Sequence, residues 1–308
     1  MDLAVTVSII VSVCAAATPL LLAGIGELVV ERSGVLNLGV EGMMIMGAGA
    51  GFGVAQYTGN PYAGAIGAVI VGALFSLLFA FLTLTLVANQ VATGLALTIL
   101  GLGLSGMIGE GFVGQPGIKM QALDIPVLTD LPIVGKLFFG QDPIFYVSLI
   151  VVALVSWFLF KTRAGLKLRA VGDSHSSAHA LGINVIGIRY LAVIFGGACA
   201  GLAGAHLSLV QVPQWVEGMT AGKGWIALAL VVFASWRPGR VLVGAYLFGA
   251  VTFAQFHAQA WGLGIPAQFL SSLPYVATIV VLVIIARNRR LTMINTPASL
   301  GLPFVPDR

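Results

Sequence analysis

The chain has 308 residues, of which 58% are hydrophobic and only 8% charged, and its net charge is +4. Soluble domains hold about a quarter charged residues, so this composition excludes a water-soluble globular fold and puts most of the chain against lipid. The basic surplus implies no nucleic-acid partner, because the lysines and arginines flank apolar runs and no nucleic-acid motif accompanies them.

Apolar runs long enough to cross a bilayer lie near 3–26, 36–56, 61–87, 92–109, 143–160, 189–211, 223–236, 241–261 and 271–286. Short alternating segments of a barrel are not visible, so the expected fold is an all-α polytopic bundle of about nine spans, within a range of eight to ten. The first run resembles a signal peptide but has Asp2 where a basic n-region belongs, and it reads as a retained span. The second opens with Asn37-Leu38-Gly39-Val40-Glu41-Gly42, an amide and a carboxylate among apolar residues. A carboxylate inside a membrane costs roughly 2.5–3.5 kcal/mol unless it faces protein, water or a partner. Two readings of Glu41 follow: with Asn37 it lies at the cytoplasmic mouth of a translocation path, or it caps and pins a neighbouring helix.

Between the third and fourth runs, "ANQVATG" supplies Asn89, Gln90 and Thr93. These neutral donors and acceptors suit a sugar or nucleobase in the path, and equally suit a polar turn. Residues 110–142 form a loop with Asp124, Asp130, Asp142 and several prolines, shaped by turns more than by a core. In residues 161–188, a basic stretch precedes Asp173-Ser174, which can cap a short helix from His175 to Leu181 with Gly182 as its stop. The seventh run, 223–236, is short and follows "VPQWVEGMTAGKG", so it reads as a re-entrant or broken element; Gln214 and Trp215 there are candidates for contact with an external protein.

With nine spans, one side collects Arg32, Lys161, Arg163, Lys167, Arg169, Arg189, Arg237, Arg240, Arg287, Arg289, Arg290 and Arg308, and the other only Lys119, Lys136 and Lys223. Positive-inside bias then places residues 161–188 and the tail 287–308 in the cytoplasm, with the N-terminus and residues 110–142 outside. Gly47–Gly51 and Gly197–Gly201 fit small-residue seams for close helix packing. "VEGM" occurs at Val40–Met43 and Val216–Met219, a hint of two similar halves. Cys14 and Cys199 sit in apolar runs and read as buried hydrophobes.

Catalytic signatures are absent: there is no G-x-S-x-G and no H-E-x-x-H, and an intramembrane enzyme would lack a nucleophile–base pair. "GMTAGKG" resembles a phosphate loop but has Gly224 where Ser or Thr belongs, so any ATP must be hydrolysed by another chain. His175 and His179 stand four apart without a third ligand, and no metal site is expected.

The pattern T-x-x-G-x-x-x-R-A-x-G followed by A-x-x-x-G-I/Y is met by Thr162, Gly165, Arg169, Ala170, Gly172, Ala178 and Gly182. With "ERSGVLNLGVEGMMIMGA", "AGKGWIALALVVFASWRP" and "TPASLGLPF", it resembles permease subunits of ATP-binding-cassette importers in the branched-chain amino acid and simple sugar permease superfamily. The match looks nearest to the nucleoside permeases that work with basic-membrane-protein-type lipoproteins, although "GDSHSS" departs from the Gly-Glu-Asn-Pro-like string expected there. The resemblance implies one transmembrane permease domain over 1–308 in the bacterial cytoplasmic (inner) membrane. It implies no cofactor on this chain, with ATP and Mg on partner ATPases that dock through Thr162–Ile183, Asp173 included. The remaining implied partners are a second, homologous permease, giving a heterodimer, and an extracytoplasmic substrate-binding protein. Simple sugars or branched-chain amino acids are the alternative cargo. A secondary transporter or channel without an ATPase is the alternative class.

Overall fold

The computed structural model describes residues 3–123, 126, 129, 135, 139–260, 266–286 and 295–306. Lys136, Arg287, Arg289, Arg290 and Arg308, used above to orient the chain, and Asp124 and Asp130 of the 110–142 loop lie outside the described residues.

Among the described residues every regular element is helical. In chain order these are α1 (Leu3–Arg32), α2 (Val40–Thr58), α3 (Pro61–Ala80, continued by a π-turn at Phe81–Thr85), α4 (Gln90–Gly109) and α5 (Pro143–Lys161). There follow α6 (Arg163–Asp173), α7 (His175–Ala180), α8 (Val185–His206, continued by a π-turn at Leu207–Gln211), α9 (Lys223–Phe233), α10 (Pro238–Ala260), α11 (Ala267–Ser271) and α12 (Leu273–Ala286). Local chemistry sets several starts. Asn60 and Asp142 each accept a backbone N–H with proline at the first helical position, and Asn184 caps α8 through Gly187 N–H.

Among the described residues, five stretches are long and apolar enough to cross a membrane: Val5–Arg32, Pro61–Thr85, Gln90–Phe112, Pro143–Lys161 and Val185–Gln211. The chain is a multi-pass membrane protein. α2 has the length but not the hydropathy, because Glu41, Gln56 and its glycines dilute it. It does not need more, since α3, α8 and α4 wrap it and nearly every residue from Val40 to Ala55 is buried. α9 has 11 residues, a rise of about 16 Å and so roughly half a hydrocarbon core. α1 continues beyond residue 26, where the apolar run was expected to end, because Glu27, Glu31 and Arg32 each hydrogen-bond to another part of the protein.

The core is a glycine seam. Added Cβ atoms would strike the Gly201 backbone at Gly47, the Ala68 carbonyl at Gly201, the Gly197 carbonyl at Gly72 and the Met44 carbonyl at Gly204. α2, α3 and α8 therefore meet backbone to backbone, as both glycine strings predicted. Matching positions along the seam make α2 parallel to α8 and α3 antiparallel to both. The loop after α1, α6–α7 and residues 295–306 gather at one end of the bundle. The recurring tetrapeptide opens a helix at Val40 but forms a turn at Val216, so it marks no structural repeat.

Candidate functional site

The break before α9 is held by Glu41. Its Oε1 accepts from the Thr220 hydroxyl and from Gly222 N–H at 2.8 Å, and its Oε2 from Gly224 N–H at 2.6 Å. The carboxylate, 2% exposed, thus satisfies the first orphan donors of a half-helix and sits at its positive end. Gly224 has to be glycine, since a Cβ would press into the Glu41 backbone and carboxylate. This geometry is that of the capping reading.

Asn37 is also enclosed. Glu27 Oε1 accepts from Asn37 N–H at 3.2 Å, and Asn37 Oδ1 accepts from Gly39 N–H at 3.0 Å. Gln90, 5% exposed, accepts from Leu36 N–H at 2.8 Å, while exposed Asn89 caps α4 through Ala92 N–H. Asn37 and Gln90 therefore position backbone in the 33–39 loop, as Glu41 does at the break before α9, and Thr93 is half-buried. Glu27 and Glu31 escape sequence reading because they fall inside a helix that looks apolar overall. Glu31 accepts from the Trp236 indole N–H and ties α1 to the corner after α9, where Ser235 and Trp236 both adopt positive φ. Arg32 clamps the same corner by donating from Nε and Nη2 to Trp236 O.

At the end of the bundle that holds the 33–39 loop, the Ser174 cap and Gly182 stop enclose α7 as expected, with Gly182 at φ +77°. The basic stretch before it is itself a helix, α6, capped by Thr162, whose hydroxyl accepts from Gly165 N–H at 3.0 Å. Gly165 lies on the Phe158 carbonyl and Gly172 on the Arg32 carbonyl, so both are packing positions. Asp173 is exposed, Arg169 and Ala170 are half-buried and Ala178 is the buried residue of α7. Two apolar side chains stand out among the charged and polar outward groups: Leu181 is 81% exposed at the tip beside Gly182, and Leu166 is 58% exposed on α6. His175 and His179 pack edge-on against the Phe304 ring.

Partial burial pushes the His175 imidazole below its ordinary 6.5, and the Arg189 guanidinium adds to this, its Nη2 lying 3.4 Å from Nδ1. A lowered folded-state pKa means the neutral ring's contribution to stability is complete above pH 6.5 and is lost as pH falls through the depressed value. Melting of the purified protein should accordingly be a few degrees lower at about pH 5.5 than at about pH 7.5, with part of the difference removed by His175→Gln.

At the opposite end, a cavity of about 1010 Å³ opens between α1, the α8 π-turn, the approach to α9, α10 and α12. Its walls include Ser12, Gln211, Thr252, Phe253 and Tyr275, and Lys223 forms part of its floor next to the Glu41 cluster. Asp142 on its rim lies 3.4 Å from buried His206. Burial alone would raise the Asp142 carboxyl, but His206 and the Phe145 and Ile144 amides hold it below the ordinary carboxylate range. Gln214 is exposed at this end. Trp215 is not: it is 2% exposed, its ring packing with Ile45, Ala48 and Phe52, because the bend before α9 folds it inward.

A multi-pass bundle with a broken helix, an enclosed polar cluster at the break and a cavity at one end is the layout of a solute permease. The chain belongs to the branched-chain amino acid transport system permease component family, whose model matches residues 9–286. It is 34% identical to the guanosine ABC transporter permease protein NupQ of Bacillus subtilis over the whole of both chains. It is 34% identical to the nucleoside ABC transporter permease protein NupC of Lactococcus lactis, over 86% of this chain and 88% of that one. TsgC13 of Haloferax volcanii, provisionally named a glucose ABC transporter permease, is 45% identical over 87% of this chain and 88% of its own. An inward-facing ABC transporter described as of metal-chelate type shares the fold, with TM-score 0.50 and 16% identity over 89% of this chain and 84% of that one.

Proposed function

We propose that this chain is the membrane permease of an ATP-driven importer that carries nucleosides across the bacterial cytoplasmic membrane. The full-length likeness to NupQ carries this reading. The cavity supports it: its size lies at the upper end of small-molecule pockets, and its hydroxyls, amides and aromatic rings suit an uncharged base and sugar. The chain crosses nine times with its N-terminus outside, the seventh crossing combining the 212–222 turns with α9. ATPases dock on α6–α7, where Leu181 projects, and a binding protein docks beside Gln214. A second, homologous permease packs on α4, the span whose apolar window is covered least, at 28%. Asn37, Glu41, Asn89, Gln90 and Thr93 border the cytoplasmic half of the route. A sugar cargo is the second reading, favoured by the TsgC13 likeness.

Uptake of labelled guanosine and uridine, with and without the chain and with cold glucose, ribose or leucine as competitors, tests the cargo. Loss of uptake with the chain, competed only by nucleosides, is expected. Competition by glucose or ribose would move the cargo to sugars. For the ATPase contact, Leu181→Asp is expected to reduce co-purified ATPase about tenfold or more while membrane abundance stays normal. Gly172 is a poorer probe, since any side chain there strikes the Arg32 carbonyl.

A further inference from the structure

Residues 295–306 are built into the cytoplasmic end of the bundle. Arg32 Nη1 donates to Asn295 O at 3.1 Å, Ser299 N–H to Gly172 O at 2.8 Å, Gly301 N–H to Gly34 O at 3.1 Å and Arg189 Nη1 to Leu302 O at 3.2 Å. Their partners lie on four separate pieces of chain: the end of α1, the loop after it, α6 and α8. His175 N–H also reaches the Ser299 hydroxyl, at 3.4 Å. Phe304 then lies edge-on to His175 and His179, with ring centres 5.2 and 5.4 Å away, and packs on the buried cluster of Val171, Ala178 and Val185.

α7 needs such support. It has six residues and buries only Ala178, and an isolated helix of that length does not persist in water. The segment supporting it continues to Gly34. Two residues further on, Leu36 N–H is held by Gln90 of α4 and Asn37 by Glu27 of α1. Hydrogen bonds, packed rings and the short backbone stretch from Gly34 to Leu36 therefore link the underside of α7 to the start of α4 without passing through a spanning helix.

We propose that residues 295–306 are a coupling strap: a force applied to α6–α7 reaches the 33–39 loop and the cytoplasmic end of α4 through Phe304, Ser299 and Gly301. Phe304 and Ser299 are positioning residues, and neither has to touch cargo or nucleotide. The strap rests on the reading of α6–α7 as the ATPase platform.

The test uses the full chain, reconstituted with its ATPase, companion permease and binding protein in proteoliposomes, and counts ATP hydrolysed per guanosine imported. Phe304→Ala and Ser299→Pro, which deletes the N–H that binds Gly172, are each expected to raise that ratio about fivefold or more with ATPase co-purification unchanged. Phe304→Leu, which keeps an apolar plug, is expected to restore it. Hydrogen exchange of the 33–39 amides in the same Phe304→Ala protein is expected to quicken, and that readout requires no cargo. An unchanged ratio in an intact complex overturns the strap. So does a parallel fall of import and hydrolysis, loss of the ATPase that Phe304→Leu fails to restore, or unchanged exchange at 33–39. Should the wild-type complex import no guanosine while exchange at 33–39 still quickens, the proposed cargo fails and the strap stands.

Discussion

Replacing Glu41 with alanine is expected to cost about 3 kcal/mol or more and to strip most of the chain from the membrane. The carboxylate is the acceptor for Thr220, Gly222 and Gly224 at a site closed to water. Each buried donor left without a partner costs about 1–3 kcal/mol, and a lost anion at a helix N-terminus adds about 0.3–1 kcal/mol. Glu41→Gln keeps one accepting oxygen but turns an amide NH2 toward other donors, so it should lie between alanine and wild type. Membrane abundance and uptake measured together distinguish the two roles. Abundance falling in step with uptake in both variants fits the cap. Normal abundance of Glu41→Gln with uptake down tenfold or more would put the carboxylate in the route itself.

The second large effect is expected at Gly201. A Cβ there would meet the Ala68 carbonyl and the Gly72 Cα, both backbone atoms that no rotamer change can clear. Overpacking a well-filled core costs about 1–3 kcal/mol, and valine at a backbone seam should reach or exceed the upper figure by forcing α3 off α8. Gly103→Ala on α4 is the control: nothing stands within 4 Å of its Cβ, and better helix propensity should leave stability unchanged or raise it by up to about 1 kcal/mol. Thermal unfolding of the detergent-solubilised proteins checks the pair, and equal melting points for the two would refute backbone contact at the seam.

Some of this was legible because its causes are local. Ser174 and Gly182 delimit α7 through the cap and left-handed stop that their residue types favour. The glycine strings of α2 and α8 meet because close packing in lipid depends on small residues spaced along a face. The broken element before α9 showed as an apolar run too short to cross. Other features depend on contacts distant in sequence. Thr162 opens α6, but a basic amphipathic stretch between two spans gives no apolar run to read. Glu27 and Glu31 look anomalous within a span until Asn37 and Trp236 are seen beside them. Trp215 reads as an interfacial aromatic, and only the fold of residues 212–222 turns it inward. Ser299 and Phe304 stood in a recognisable block, yet nothing nearby in sequence says that their partners are Gly172 and His175.

The enclosure of α2 also bears on how the protein is made. A segment leaves the translocon sideways when its own residues prefer lipid to the aqueous channel. With a glutamate, a glutamine and five glycines in 19 residues, α2 has little such preference. Only residues 59–60 separate it from the strongly apolar α3. The two are therefore expected to enter the bilayer as one hairpin, α3 supplying the partition energy and α2 reaching its final place only when α8, synthesised more than a hundred residues later, closes over it.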